Sequence, residues 1–143
     1  MAIQAINILL VEDNEGDIVL LTEALSDAKM VNKIDTAGDG AEAINLLNDL
    51  ANTAPDALPD LILLDINLPK KNGYEVIAFM KSNALLGKIP VIILTTSSSE
   101  LENIKAKNLE ACCYIIKPTE IDEYVNVISK IEEFWLSTLK LPK

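Results

Sequence analysis

The sequence predicts an α/β protein, a doubly wound parallel sheet of five strands with helices on both faces. Three observations predict it. Short aliphatic runs alternate five times with segments in which apolar residues recur at helical spacing. The run Leu61-Ile62-Leu63-Leu64, bounded by Pro59 and Pro69, reads as a strand buried on both faces, as in a parallel sheet covered by helices. Polar residues stand where the runs end, at Glu12-Asp13, Asp65, Thr95 and Lys117, and strand C-termini share one edge of a parallel sheet.

Taken in order, Ile6 to Val11 is the first strand, closed by Glu12-Asp13. Asn14 is placed to cap the helix that follows, with Glu15 and Asp17 in its first turn and Ile18, Leu21, Leu25 and Ala28 on its apolar face. Lys33 to Ala37 is a shorter second strand. Gly38-Asp39-Gly40 turns into a helix carrying Ala41, Ile44 and Leu47, and the polar, Pro-containing stretch 48–59 reads as a surface loop. The third strand ends in Asp65, and Pro69 delays the next helix, which carries Tyr74, Ile77 and Met80. Gly87 to Pro90 leads into Val91-Ile92-Ile93-Leu94, ending at Thr95-Thr96. Ser97 to Glu100 has capping-box spacing and opens a fourth helix with Leu101, Ile104 and Leu109. Cys112 to Ile116 is the fifth strand, closed by Lys117-Pro118, and a last helix and tail occupy about 119–143.

Composition limits what such a sheet can do. The 143 residues are 50% hydrophobic but only 4% aromatic, which predicts one aliphatic core and a single domain over 1–143. The net charge is −10 and all 12 basic residues are lysines without a cluster, a poor basis for binding nucleic acid or an anionic membrane. Met1-Ala2-Ile3-Gln4 lacks the basic start of a signal peptide, no run approaches bilayer length, and adjacent Cys112-Cys113 suit a reduced, cytoplasmic chain. These cysteines read as core filler, since neighbouring strand residues point to opposite faces. The count of His 0 excludes histidine catalysis, histidine metal ligands and a phosphohistidine donor role.

Taken singly, the strand-end residues have plain structural readings: Asp65 as a strand-end cap, Lys117 as a surface lysine, Thr95 as a β-former, Tyr114 as a core residue. Their shared edge changes the reading. Crowded carboxylates repel unless a cation offsets them, and an open, oxygen-only cluster suits Mg²⁺ with its retained waters. A metal site, a carboxylate nucleophile, a hydroxyl and an ammonium together fit in-line phosphoryl transfer.

Glu12-Asp13, Asp65 with Pro69 and Gly73 after it, Leu94-Thr95-Thr96 and Tyr114-x-x-Lys117-Pro118 resemble the receiver domains of two-component response regulators over essentially the whole chain. The resemblance implies a flavodoxin-like (βα)5 domain in which Asp65 accepts a phosphoryl group from a histidine kinase. It implies Mg²⁺ held by Asp13, Asp65 and the backbone carbonyl of Asn67, with Glu12 acting through a metal-bound water. Lys117 would bind a phosphoryl oxygen, and Pro118 would follow a cis peptide. Thr95 and Tyr114 would form the switch that re-shapes the surface of the fourth and fifth units for protein contacts. Such a chain is a phosphoacceptor switch and not an enzyme that turns over, and nothing after the fifth unit resembles an output domain.

Glu12-Asp13 with Asp17, the long segment before the acceptor strand, Leu94-Thr95-Thr96-Ser97, and Phe134-Trp135-Leu136 before Leu141-Pro142 are similar to the compact regulators paired with bacterial phytochromes. Their likeness, and an apolar arc on the last helix wider than one sheet contact requires, lead us to expect a homodimer through that helix. In the arc, Ile121, Val125, Ile128, Ile131 and Trp135 would cover the sheet, with Tyr124, Val127 and Phe134 beside them. Two other classes compete. A haloacid-dehalogenase-like phosphatase shares the Asp nucleophile and Mg²⁺, but Asn67 stands where it needs a second Asp. A flavodoxin-like redox module needs a phosphate loop after the first strand, where Glu12-Asp13 would repel an FMN phosphate.

Overall fold

The protein is described from a computed structural model, covering residues 6–26, 31–66, 68, 72–95, 113–118 and 120–140. Strands β1 (Ile6–Val11), β2 (Val31–Ala37), β3 (Leu61–Asp65), β4 (Val91–Thr95) and β5 (Cys113–Ile116) form one sheet in the order β2-β1-β3-β4-β5, every pair parallel. This is the flavodoxin-like arrangement, whose strand order reverses between β1 and β3. The carboxyl ends of those two strands therefore border the crevice where such sheets bind ligands.

Strand alternation divides the core. Ile8 and Leu10 of β1, Leu61 and Leu63 of β3 and Ile92 and Leu94 of β4 face α1 (Glu15–Ser26) and the C-terminal helix (Tyr124–Lys140). Leu9, Val11, Ile62, Leu64 and Ile93 face α2 (Gly40–Thr53) and α3 (Gly73–Lys81). β3 is buried at all five positions, as its unbroken aliphatic run predicts. Each such Leu or Ile contributes about 1.5–3 kcal/mol by leaving water, so the sheet is a firm base for what stands at its edge.

Four details differ from the sequence reading. β2 begins at Val31, two residues before Lys33. The stretch 48–59 is not all loop: α2 runs to Thr53, followed by a 3-10 turn over Pro55–Ala57. Its Asn48, Asp49 and Asn52 are the helix's solvent face, and Ala51 packs against the core. The last helix begins at Tyr124, after a 3-10 turn at Ile121–Glu123. Its core face is Tyr124, Val127, Ile128 and Ile131, with Phe134 and Trp135 half-buried against the same cluster, while Val125 is 68% exposed. Packing against α1 as well as the sheet uses the wide apolar arc that suggested a partner, and turns Val125 outward. The fourth helix expected after Ser97, Cys112 and the Leu141-Pro142 tail lie outside the described residues, as does the side chain of Cys113.

Candidate functional site

Each residue at the sheet edge is placed by its own backbone tether. The Glu12 N–H donates to the Ala37 carbonyl at 3.0 Å, which extends the β1–β2 pairing past Val11 and turns the side chain inward. Asn14 then opens α1: its side-chain oxygen accepts from the Asp17 N–H at 2.9 Å, and its own N–H donates to Glu12 Oε1 at 3.1 Å. Asp13, between them, is exposed.

Asp65 closes β3, and the next residue stays tied on both sides. The Ile66 N–H donates to the Leu94 carbonyl, and the Ile66 carbonyl accepts from the Gly73 N–H at 3.0 Å. α3 approaches so closely here that a Cβ on Gly73 would lie 2.8 Å from Ile66 Cα and 3.0 Å from the Asp65 carbonyl oxygen. Glycine is required by this contact. α3 is started by a capping box, Asn72 accepting from the Glu75 N–H and Glu75 accepting from the Asn72 N–H, a signal legible in the sequence as Asn72-x-x-Glu75.

Thr95 ends β4 fully buried, and its carbonyl accepts from the Lys117 N–H at 2.6 Å. That bond carries the β4–β5 register one step beyond Ile116 and delivers Lys117 to the edge. Tyr114, in register with Ile93, is half-buried and packs against the α2–α3 side of the core.

Lys117 Nζ lies at the centre. It donates to Glu12 Oε2, to Asp65 Oδ2 at 3.1 Å and to Asp17 Oδ2 at 3.2 Å. Glu12, Asp65 and Lys117 are all buried. Burial pushes the Glu12 carboxyl up to about 7, the Lys117 hydrogen bond opposing and the Asp65 charge adding to the rise. Burial alone would depress Lys117, but the Glu12 hydrogen bond and the Asp65 charge outweigh it and leave the ammonium above its ordinary value.

Glu12, Asp13 and Asp65 can each offer one carboxylate oxygen, all within 4.8 Å of one another. With Asp17 close by, carboxylates outnumber ammonium groups in the cluster among the described residues. The oxygen-only donors and the exposed Asp13 fit a hard divalent cation that keeps some of its water. Asn67, the expected carbonyl ligand, lies outside the described residues.

The structure thus brings together Glu12, Asp13, Asp65 and Lys117, with Thr95 tied to Lys117 through its backbone. Tyr114 stands apart, at the core. Two residues at the cluster were not predicted for it. Asp17, read as a helix-dipole acid, pairs with Lys117, and the Tyr124 hydroxyl, read as part of a helix face, donates to Asp17 Oδ1 at 3.3 Å. Burial raises the Tyr124 hydroxyl pKa, with the Asp17 charge adding to it. Asp17 lies one helical turn from Asp13, a usable signal, whereas Tyr124 carries none in the sequence.

Comparison with known proteins finds relatives of this chain. Residues 8–129 match the response regulator receiver domain family. The response regulator Rcp1 of Synechocystis sp. is 39% identical over 135 residues, spanning 94% of this chain and 92% of Rcp1. The phosphorylated cyanobacterial phytochrome response regulator RcpA superposes with a TM-score of 0.81 at 43% identity, covering 97% of this chain and 99% of RcpA. The Mn²⁺-bound form of Rcp1 superposes with a TM-score of 0.80 at 38% identity, covering 96% and 99%.

Proposed function

Because this chain belongs to the response regulator receiver family, whose members bind Mg²⁺ and are phosphorylated by histidine kinases, we propose that Asp65 is its phosphoacceptor. One observation carries the assignment: Asp65 is the buried carboxylate at the end of the central strand, with the Lys117 ammonium 3.1 Å away. In the transfer, an Asp65 carboxylate oxygen attacks phosphorus in line. An O–P bond forms, the P–N bond to the kinase's phosphohistidine breaks, and its electron pair returns to the imidazole.

Lys117 stabilises the charge on a phosphoryl oxygen as the group arrives. Glu12, Asp13 and Asp65, with the Asn67 carbonyl, would hold Mg²⁺, which when bound supplies a Lewis acid against the same oxygens. Thr95 and Tyr114 form the switch: the Thr95 hydroxyl follows the new group and Tyr114 re-sets its packing, altering the surface around β5 and the C-terminal helix. The chain is a phosphoacceptor and not a phosphatase that turns over, because Asn67 offers an amide where a general acid would be needed.

The direct partner is a sensor histidine kinase, of phytochrome type by similarity to Rcp1 and RcpA. We also retain a second copy of this chain as a partner, through a groove of about 350 Å³ between β5 and the C-terminal helix whose lining includes Ile116, Lys117, Glu123, Asn126, Val127 and Lys130. Among the described residues no helix is long and apolar enough to cross a membrane, and adjacent cysteines and the absence of a basic patch favour a cytoplasmic protein that does not bind nucleic acid.

Acetyl phosphate with Mg²⁺ tests the central claim. Wild type should gain one phosphoryl group, mapped by mass spectrometry to Asp65, and Asp65→Asn should gain none. Label on another residue of Asp65→Asn would refute the assignment. Light scattering with and without beryllofluoride tests the pair, and a wild type monomeric in both states removes it.

A further inference from the structure

An ammonium has three N–H donors, and those of Lys117 already have three carboxylate partners, Glu12, Asp17 and Asp65. A phosphoryl oxygen on Asp65 can therefore engage Lys117 fully only if one partner gives up its donor. Burial decides which. The Glu12 side chain is 1% exposed, and freeing it would leave a buried carboxylate without its cation, with the Asn14 N–H as a neutral donor. Asp65 gives one oxygen to the incoming group, and its other oxygen can still accept from Lys117 as the acyl carbonyl. The Asp17 side chain is 26% exposed, so water can replace Lys117 there at low cost.

Asp17 also bonds across to the C-terminal helix. Its Oδ1 accepts from the Tyr124 hydroxyl at 3.3 Å, so one carboxylate bridges Lys117 and the first turn of the C-terminal helix. Tyr124 is buried in the same cluster as Val127, Ile128 and Ile131, which makes it part of a packed element and not a loose contact.

Resting on the assignment of Asp65 and Lys117 above, we propose that Asp17 is a positioning residue. It holds back one donor of Lys117 in the unphosphorylated protein, and its release on phosphorylation is passed through Tyr124 to the C-terminal helix. This route is separate from Thr95 and Tyr114. It begins at the ammonium, not at the hydroxyl, and ends on the α1 side of the sheet.

The full chain is labelled with acetyl phosphate at saturating Mg²⁺, and the rate constant is resolved from the donor KM. Asp17→Asn removes the competitor, so the rate constant should rise by about 2- to 5-fold, the scale of a partly exposed ion pair, with the donor KM unchanged. Asp17→Glu, which restores the charge, should return it toward wild type. Amide shifts induced by beryllofluoride are then compared: those of Tyr124 and its helix neighbours should be lost in Asp17→Asn, while those beside Asp65 remain. A merely structural role would lower the rate and would not separate the two sets of shifts. If Asp17→Asn does not fold, Tyr124→Phe decides, since it too should lose the helix shifts while keeping those at Asp65. A labelled wild type whose Asp17→Asn rate is equal or lower, or whose helix shifts persist in the variant, overturns this proposal alone. A wild type that takes no label overturns the phosphoacceptor assignment and this proposal with it.

Discussion

The floor and the rim of the site use the same chemistry under different constraints. On the floor, Glu12, Asp65 and Lys117 each follow or end a strand, are buried, and take their positions from backbone bonds that extend the sheet. On the rim, Asp13 is exposed and Asp17 is half-buried on α1, with a part-exposed bond to Lys117. Floor charges are interdependent, because Glu12 and Asp65 share the Lys117 ammonium. Rim charges have water as an alternative partner. Under the proposed function the two layers would do different work: the floor would fix where chemistry occurs, and the rim would adjust as charge arrives.

Substitutions that break this contrast should differ most at the floor. Lys117→Gln leaves Glu12 and Asp65 buried without their cation and should destabilise the metal-free fold by about 3 kcal/mol, the usual scale for breaking a buried ion pair from one side. Mg²⁺ should restore part of that loss by standing in for the ammonium. Denaturant titration in EDTA and in Mg²⁺ measures both, and equal stability to wild type in EDTA would show that the floor does not depend on Lys117.

Asp13→Asn acts on the rim and should reverse the pattern. Stability should stay within about 0.5 kcal/mol, as for exposed substitutions generally. Mg²⁺ affinity, read by calorimetric titration, should fall at least about tenfold, since a direct ligand matters no less than an outer-shell one. An unchanged affinity would move Asp13 out of the metal site. Thr95→Ala should have the smallest effect on chemistry: labelling of Asp65 within about twofold of wild type, because no reacting atom is removed, but loss of most of the amide-shift response around Tyr114. A full response in that variant would separate the hydroxyl from the switch.

The sequence alone was enough for the sheet and for most of the floor, for a physical reason. Unbroken aliphatic runs are legible as buried parallel strands, and parallel strands necessarily gather their carboxyl ends, so Glu12, Asp65, Thr95 and Lys117 meet although they are far apart in the chain. Helices are less legible. Their apolar faces do not state what covers them, so the polar residues 48–53 passed for a loop when they are the wet side of α2, and Val125 passed for a sheet contact when packing turned it to solvent. Only the tertiary structure decided the rim. The Asp17–Tyr124 bond joins residues 107 positions apart on two helices, and it exists because the rotation and approach of those helices are set by core packing, which no local pattern encodes.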